Sequence, residues 1–212
     1  MNKSNSWIKY LFFVIIIAAV FVGIAFASIY LLKDNKKTNQ PLSNVHTNEK
    51  SIDNYGINCD DNDTKLYKVE FDILKENLTS DKIDEEAYAK SVAKLFIIDL
   101  YTIKNKMNKY DIGGTEFVLP SAVSNYRLNV EDTIYKFVQD NSDGKRIQNL
   151  PTVESIEIVS TKKTTFEIKD DKSYDAYNIN LKWKYTNDYG YDTKAQVIVI
   201  KKDDKMYVVE KN

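Results

Sequence analysis

One acidic residue, Asp99, lies where the helical pattern of the chain calls for an apolar side chain. The apolar residues around it recur at spacings of three and four and form one helical stripe: Ala89, Val92, Phe96, Leu100, Ile103 and Met107. At 100° per residue, Asp99 falls on this stripe. A carboxylate there must be paired, hydrogen-bonded or protonated, because burying it alone is costly. Two roles are open for Asp99. It could transfer protons, or it could form a structural hydrogen bond with a tyrosine hydroxyl or with a backbone N–H near the Gly113–Gly114 pair.

Other residue types that carry chemistry are scarce in this chain. The single cysteine, Cys59, excludes an intrachain disulfide and a cysteine-based zinc site. The single histidine, His46, lies in a polar stretch, which excludes catalytic triads and histidine-rich metal sites. Asp60, Asp61 and Asp63 lack the glycine and the terminal glutamate of a calcium loop. We therefore predict no catalytic residue, no metal site and no cofactor, and a protein that is not an enzyme.

The composition limits the class of protein. The 212 residues are enough for one domain with appendages. The chain has 30 basic and 31 acidic residues, and this balance argues against a nucleic-acid binder, which needs a basic surface to displace counterions from phosphates. Frequent Lys, Asn, Ile and Tyr indicate an AT-rich bacterial genome.

An uncharged apolar run at residues 11–32 predicts a transmembrane helix. Its length of roughly 33 Å as a helix matches a hydrocarbon core of about 30 Å. Trp7, Tyr10 and Tyr30 lie near its two ends, as expected for residues at the membrane interfaces. We predict that residues 1–10 form a cytoplasmic head and that the rest of the chain lies outside the cytoplasm, on a single-pass anchor in the cell membrane.

A cleaved signal peptide is the alternative for this run. Ala25 and Ala27 form an A-x-A pattern, which would place cleavage after Ala27. The run continues beyond that point to Leu32, which is longer than a typical signal core, and this favours the anchor.

The rest of the chain divides into a polar linker at residues 33–64 and a domain at residues 65–212. Alternating apolar residues predict a strand over 65–74. The helical stripe predicts a long helix over 78–107, with apolar residues on both sides of its middle, and a second helical region spans 121–140.

From Pro151 onward the apolar period changes to two. In "YNINLKWKYT", residues 177–186, the apolar side chains fall on one side of an extended chain: Tyr177, Ile179, Leu181, Trp183 and Tyr185. Short polar turns between consecutive strands predict an antiparallel meander. Helices followed by strands indicate an α+β domain, with the helices packed on one face of the sheet.

This order of elements resembles the nuclear-transport-factor-two-like superfamily, a cone-shaped fold shared with ketosteroid isomerases. The resemblance covers roughly residues 65–212. It implies a curved sheet wrapped on the long helix, with a concave face that the five alternating residues would line and that Phe96 and Leu100 would close. The alternatives for this face are a filled core and a partly open pocket. In an isomerase-like pocket, Asp99 would act as a general base or an anion-pairing acid.

With a membrane anchor added, the whole chain resembles the bitopic scaffold components of type IV secretion and conjugation machines, which work through protein contacts. The first functional hypothesis is therefore a non-enzymatic assembly module that contacts the bilayer through residues 11–32 and a protein partner through its domain. The second is a domain that binds a small molecule or lipid in the curved-sheet pocket. The third is an isomerase-like enzyme centred on Asp99.

Overall fold

The computed structural model describes residues 50–168 and 172–212. Three helices separate a short hairpin from a four-stranded sheet. In chain order the elements are β1 (Lys50–Ile52), β2 (Ile57–Cys59), α1 (Lys65–Leu78), α2 (Glu85–Tyr101), α3 (Val123–Asp132), β3 (Val153–Ile168), β4 (Lys172–Tyr185), β5 (Lys194–Lys202) and β6 (Lys205–Lys211).

The predicted α+β class and the antiparallel meander are confirmed. The sheet order is β3-β4-β5-β6, so every strand pairs with its neighbour in sequence. Bulges in β3 at Val153/Ser155 and Ile158/Ser160 disturb its register with β4, and such bulges increase the local twist of a sheet. The tight β5–β6 turn places Asp203 and Asp204 at positive φ, which short-side-chain aspartates tolerate better than most residues.

Helix α2 lies at the centre of the domain. It is buried on almost every side from Tyr88 to Tyr101, with α1 against one side and the sheet against the other, which confirms the prediction that its middle is covered from both sides. Its limits are narrower than the predicted 78–107. Asp84 begins the helix by accepting a 3.0 Å hydrogen bond from the Ala87 N–H, and Thr102 leaves helical geometry at its end.

The predicted strand over residues 65–74 is wrong, because this segment is helix α1. Thr64 caps the helix by accepting a hydrogen bond from the Tyr67 N–H. The buried side chains follow a helical spacing: Tyr67, Phe71, Leu74 and Leu78. Two of these four residues also satisfied the alternating pattern, which explains the error.

The predicted linker over residues 33–64 is too long, because residues 50–59 form the β1–β2 hairpin. Ile52, Ile57 and Cys59 are buried in the main core, so this segment belongs to the domain. Residues 33–49 lie outside the described residues.

The predicted membrane segment cannot be compared with the structure. The cytoplasmic head at 1–10, the span at 11–32 and the interface residues Trp7, Tyr10 and Tyr30 lie outside the described residues. Within residues 50–168 and 172–212, no helix combines the length and the apolar character needed to cross a membrane.

The predicted second helical region, residues 121–140, is also shorter in the structure. Helix α3 ends at Asp132, after which the Thr133 hydroxyl donates a hydrogen bond to the Asn129 carbonyl, and the Tyr135 N–H donates to the Val130 carbonyl in place of a regular helical bond. Residues 133–137 continue only as turns.

Candidate functional site

Asp99 lies beside a tight turn made by Gly113 and Gly114. A Cβ atom on Gly113 would lie 2.1 Å from the Asp99 carbonyl oxygen, so only glycine permits this approach. Gly114 has a φ of +77°, and its N–H donates a 2.6 Å hydrogen bond to Asp99 Oδ2. The Tyr126 hydroxyl donates to the Gly113 carbonyl at 2.7 Å. The turn is therefore held against α2 by side chains from two helices.

The second carboxylate oxygen of Asp99 accepts a hydrogen bond from the Lys106 ammonium. Burial lowers the pKa of Lys106, but the Asp99 charge and hydrogen bond outweigh this, and the net pKa is raised. Both oxygens of Asp99 are thus engaged, one by an ion pair and one by a backbone N–H. This is the structural role that the sequence allowed for.

The Asp99–Lys106 pair forms one wall of a small polar cleft with a volume of about 190 Å³. The cleft is lined by polar side chains from four parts of the chain: Asn58, Asp60, Asp63, Tyr67, Asp99, Lys106, Thr115 and Glu116. We call this region the polar cleft.

Glu116 is the residue of the polar cleft that sequence analysis missed. Its Oε1 accepts a 2.7 Å hydrogen bond from the Tyr67 hydroxyl, and its Oε2 accepts one from the Asn58 N–H at 3.3 Å. Burial raises the pKa of Glu116 to about 7, although both hydrogen bonds oppose the shift. Its position two residues after the glycine pair was the only sequence signal. Through these contacts Glu116 joins the β1–β2 hairpin and α1 to the turn.

The aspartates before α1 make local turn contacts. The Asp60 N–H donates to Asp63 Oδ2 at 2.8 Å, and the Asn62 N–H donates to Asp60 Oδ1 at 2.6 Å. Within the part of the chain that the structure describes, no group of three or more His, Cys, Asp or Glu side chains is arranged to hold a metal ion.

A larger depression, with a volume of about 420 Å³, lies between α2, α3 and β6. Its floor and walls are mainly apolar, and polar side chains stand at its margin. The lining residues are Phe96, Leu100, Val118, Ala122, Asn125, Tyr126, Asn129, Val130, Ile134, Val208, Val209, Glu210 and Lys211. We call it the apolar groove. At one end the Leu119 N–H donates a 3.4 Å hydrogen bond to the Val208 carbonyl, as in a parallel strand pair.

The residues of the predicted pocket do not share one site. Phe96 and Leu100 line the apolar groove, whereas Asp99 lines the polar cleft. The alternating face of β4 lies in the filled core, with four residues buried and Tyr185 partly buried: Tyr177, Ile179, Leu181, Trp183 and Tyr185. The structure therefore supports the filled-core alternative for this face.

Aromatic contacts close the end of that core. The Trp183 ring packs on the Tyr101 ring with centroids 5.0 Å apart. The Tyr101 hydroxyl donates to the Asp192 carboxylate at 2.8 Å, and the Tyr185 hydroxyl donates to the Asp192 carbonyl at 2.6 Å. These bonds satisfy polar ends that would otherwise be costly to bury.

Comparison of the chain with family models, with curated proteins and with solved structures finds no match. The resemblance to the nuclear-transport-factor-two-like superfamily therefore stays a prediction based on the order of elements.

Proposed function

We propose that this protein is a membrane-anchored, non-enzymatic interaction module whose domain binds an apolar segment of a partner protein in the apolar groove. The anchor would be residues 11–32, and the domain would lie outside the cytoplasm. The resemblance to bitopic scaffold proteins implies that this module would take part in a secretion or conjugation machine.

The observation that carries the proposal is the chemistry of the apolar groove. Buried side chains of α2, α3 and β6 form the floor of an open depression. The partly exposed Ala122, Ile134 and Val209 give it an apolar surface, and such surfaces are used in protein association. Asn125 and Asn129 stand at its margin, where their amides can bond to the backbone of a bound segment. Val118 already pairs with Val208 in an isolated parallel bridge on the outer side of β6, so this edge accepts an extended chain.

The polar cleft supports the non-enzymatic part of the proposal. A general base needs a free carboxylate within reach of a substrate. Asp99 is held by Lys106 and Gly114, and Glu116 is held by Tyr67 and Asn58. The cleft is also smaller than the roughly 300 Å³ at which ligand pockets usually begin.

Site-specific photocrosslinking in cells tests the proposal. A photoreactive p-benzoylphenylalanine would replace Asn125 at the margin of the apolar groove, and the matched control would replace Lys184, an exposed residue on the opposite face of the sheet. We expect the Asn125 position to give a crosslinked protein of defined mass and the Lys184 position to give none. Equal crosslinking at both positions, or no protein adduct at Asn125, would overturn the proposal.

A second candidate function is binding of a small apolar molecule or lipid chain. It is favoured by the groove volume of about 420 Å³, which lies within the range of ligand pockets. Native mass spectrometry would detect a bound molecule released with the protein. Ala122→Phe fills the groove. If the groove binds a small molecule, this variant should lose that molecule; if it binds a partner protein, the variant should give a weaker protein crosslink.

A further inference from the structure

Five large apolar side chains are exposed on the part of the domain formed by residues 104–148. Their exposed fractions are 48% for Met107, 58% for Tyr110, 61% for Leu128, 77% for Phe137 and 92% for Ile147. Single exposed apolar residues are ordinary, but a concentration of them marks an interaction surface.

Hydrogen bonds join the segments that carry these side chains. Arg127 Nη2 donates to the Tyr110 carbonyl at 3.1 Å, and the Asn141 N–H donates to the Met107 carbonyl at 2.8 Å. Gln148 Nε2 donates to the Phe137 carbonyl at 2.9 Å. The loop after α2, helix α3 and the loop before β3 are therefore neighbours in the fold. We call the five exposed residues of these segments the docking surface.

The same segments carry several cations that have no carboxylate partner. Residues 104–148 contain seven lysines and arginines and six carboxylates. Among the described residues, four of these cations have no carboxylate within 4 Å: Lys104, Arg127, Lys136 and Arg146. Both exposed aromatic rings also carry a neighbouring ammonium, with Lys109 4.6 Å from the Tyr110 centroid and Lys136 5.5 Å from the Phe137 centroid.

This composition matches a membrane interface better than a protein interface. Apolar side chains that protrude singly, with lysines beside the aromatic rings, are the features of peptides that lie at the boundary of headgroups and acyl chains. Cations without a carboxylate partner are attracted to anionic headgroups. A protein interface instead concentrates its apolar contacts in a closely packed centre, which describes the apolar groove.

The predicted anchor would keep the bilayer within reach of this surface. Only residues 33–49 separate the predicted span from Lys50, and 17 residues extend to about 60 Å at most. A link of that length confines the domain near the membrane, so that even a weak contact is populated.

We infer that the docking surface binds the anionic surface of the membrane that holds the predicted anchor, as a second and reversible contact of the domain with the bilayer. The inference rests on the anchor in the proposed function. Docking would fix which side of the domain faces away from the membrane. It would therefore decide whether a partner protein can reach the apolar groove.

The full chain reconstituted in lipid nanodiscs tests this inference. Ile147→Cys on the docking surface and Val159→Cys on strand β3 would each be labelled with an environment-sensitive fluorophore, and the native Cys59 is buried. In discs containing phosphatidylglycerol, we expect lipid-borne nitroxide to quench the Ile147 label at least fivefold more than the Val159 label. In discs of phosphatidylcholine alone, the difference should largely disappear.

Charge reversal identifies the cause of the contact. Lys104→Glu with Lys136→Glu should lower the ratio of docked to undocked protein at least tenfold, because two attractive charges become repulsive. Lys162→Glu with Lys184→Glu makes the same change on exposed residues of the sheet and should leave the ratio unchanged.

The outcomes separate the two proposals. A chain that inserts but leaves the Ile147 label in water, or that responds equally at both labels or in both lipids, would overturn the docking inference alone. A response at Ile147 that requires an added partner protein would also overturn it. A chain that does not insert through residues 11–32 would overturn the docking inference and the proposed anchor together.

Discussion

The polar cleft and the apolar groove both lie next to the Gly113–Gly114 turn. They differ in whether their side chains already bond to partners within the domain. In the polar cleft, Asp99 and Glu116 each bond to two partners within the domain. In the apolar groove, large core side chains such as Phe96 and Leu100 form a buried floor, and Ala122, Ile134 and Val209 are partly exposed above it. The residue types that carry chemistry thus hold the fold together, whereas the partly exposed surface of the groove is apolar. Substitutions in the cleft should therefore lower stability, and substitutions in the groove should change binding.

The largest effect is expected from Gly113→Ala. The new Cβ would lie 2.1 Å from the Asp99 carbonyl oxygen, and neither backbone can move without breaking the bonds of the turn. We expect the free energy of unfolding in urea to fall by more than about 4 kcal/mol. The matched control is Gly144→Ala, which meets no atom within 4 Å but has a φ of +70° and should cost only about 1–2 kcal/mol. Equal losses would contradict the close approach.

Asp99→Ala should have the next largest effect. It leaves the partly buried Lys106 ammonium without its partner and the Gly114 N–H without an acceptor, at a cost of about 3 kcal/mol in the free energy of unfolding. Asp99→Leu combined with Lys106→Met removes both charges and should recover most of that loss. A double variant as unstable as Asp99→Ala would show that the ion pair is not the cause.

Glu116→Gln should change the dependence of stability on pH. The pKa of Glu116 in the folded protein, about 7, lies above its ordinary value of 4.5, so protonation favours the folded state. This stabilisation is complete below about pH 4.5 and is lost as the pH rises through 7. Glutamine is neutral throughout, so the variant should exceed the parent in stability by about 3 kcal/mol at pH 8 and match it at pH 4.5.

Urea unfolding at a series of pH values would measure this difference. Asp63, whose pKa burial also raises, should leave a smaller slope of the same sign in the Glu116→Gln variant. Glu76→Gln, a substitution at an exposed position of α1, is the control and should retain the full slope. A Glu116→Gln variant with an unchanged slope would contradict the burial of this carboxyl group.

The smallest change in stability is expected from Asn129→Arg at the margin of the apolar groove. The Asn129 side chain is exposed, so the free energy of unfolding should stay within about 0.5 kcal/mol of the parent. The crosslink from position 125 should nevertheless disappear, because the larger cation blocks the groove. If Asn129→Arg lowered the free energy of unfolding but kept the crosslink, it would contradict the contrast between a structural cleft and a binding groove.

Much of the fold followed from the sequence because its periodicity is strong. The alternation in β4 and the turns between β4, β5 and β6 predicted the meander, and the stripe through Val92 and Phe96 predicted α2. The short strands β1 and β2, with three residues each, are too brief for any period to be recognised. Helix α1 was missed because Tyr67 and Phe71 satisfy both the helical and the extended pattern.

The arrangement of the candidate site could not be predicted, because it depends on contacts between distant residues. Asp99 stood out as a carboxylate on an apolar stripe, and its need for a partner was correctly anticipated. The identity of that partner depends on how the chain after α2 returns to place Lys106 beside it. Glu116 had no comparable signal, because its burial arises from the β1–β2 hairpin and α1, which the sequence assigned to other structures.

If residues 11–32 anchor the chain as proposed, the β1–β2 hairpin would have a mechanical consequence. Lys50 pairs with Cys59, so the strand that receives a pulling force and the strand that leads into α1 meet at the same end of the hairpin. Force applied at Lys50 would separate these pairs one after another, which needs less force than sliding two strands past each other. The hairpin would therefore yield before the sheet and release about 30 Å of chain from its ten residues. A sudden displacement of the membrane would then be absorbed at this point, and the groove would keep its shape.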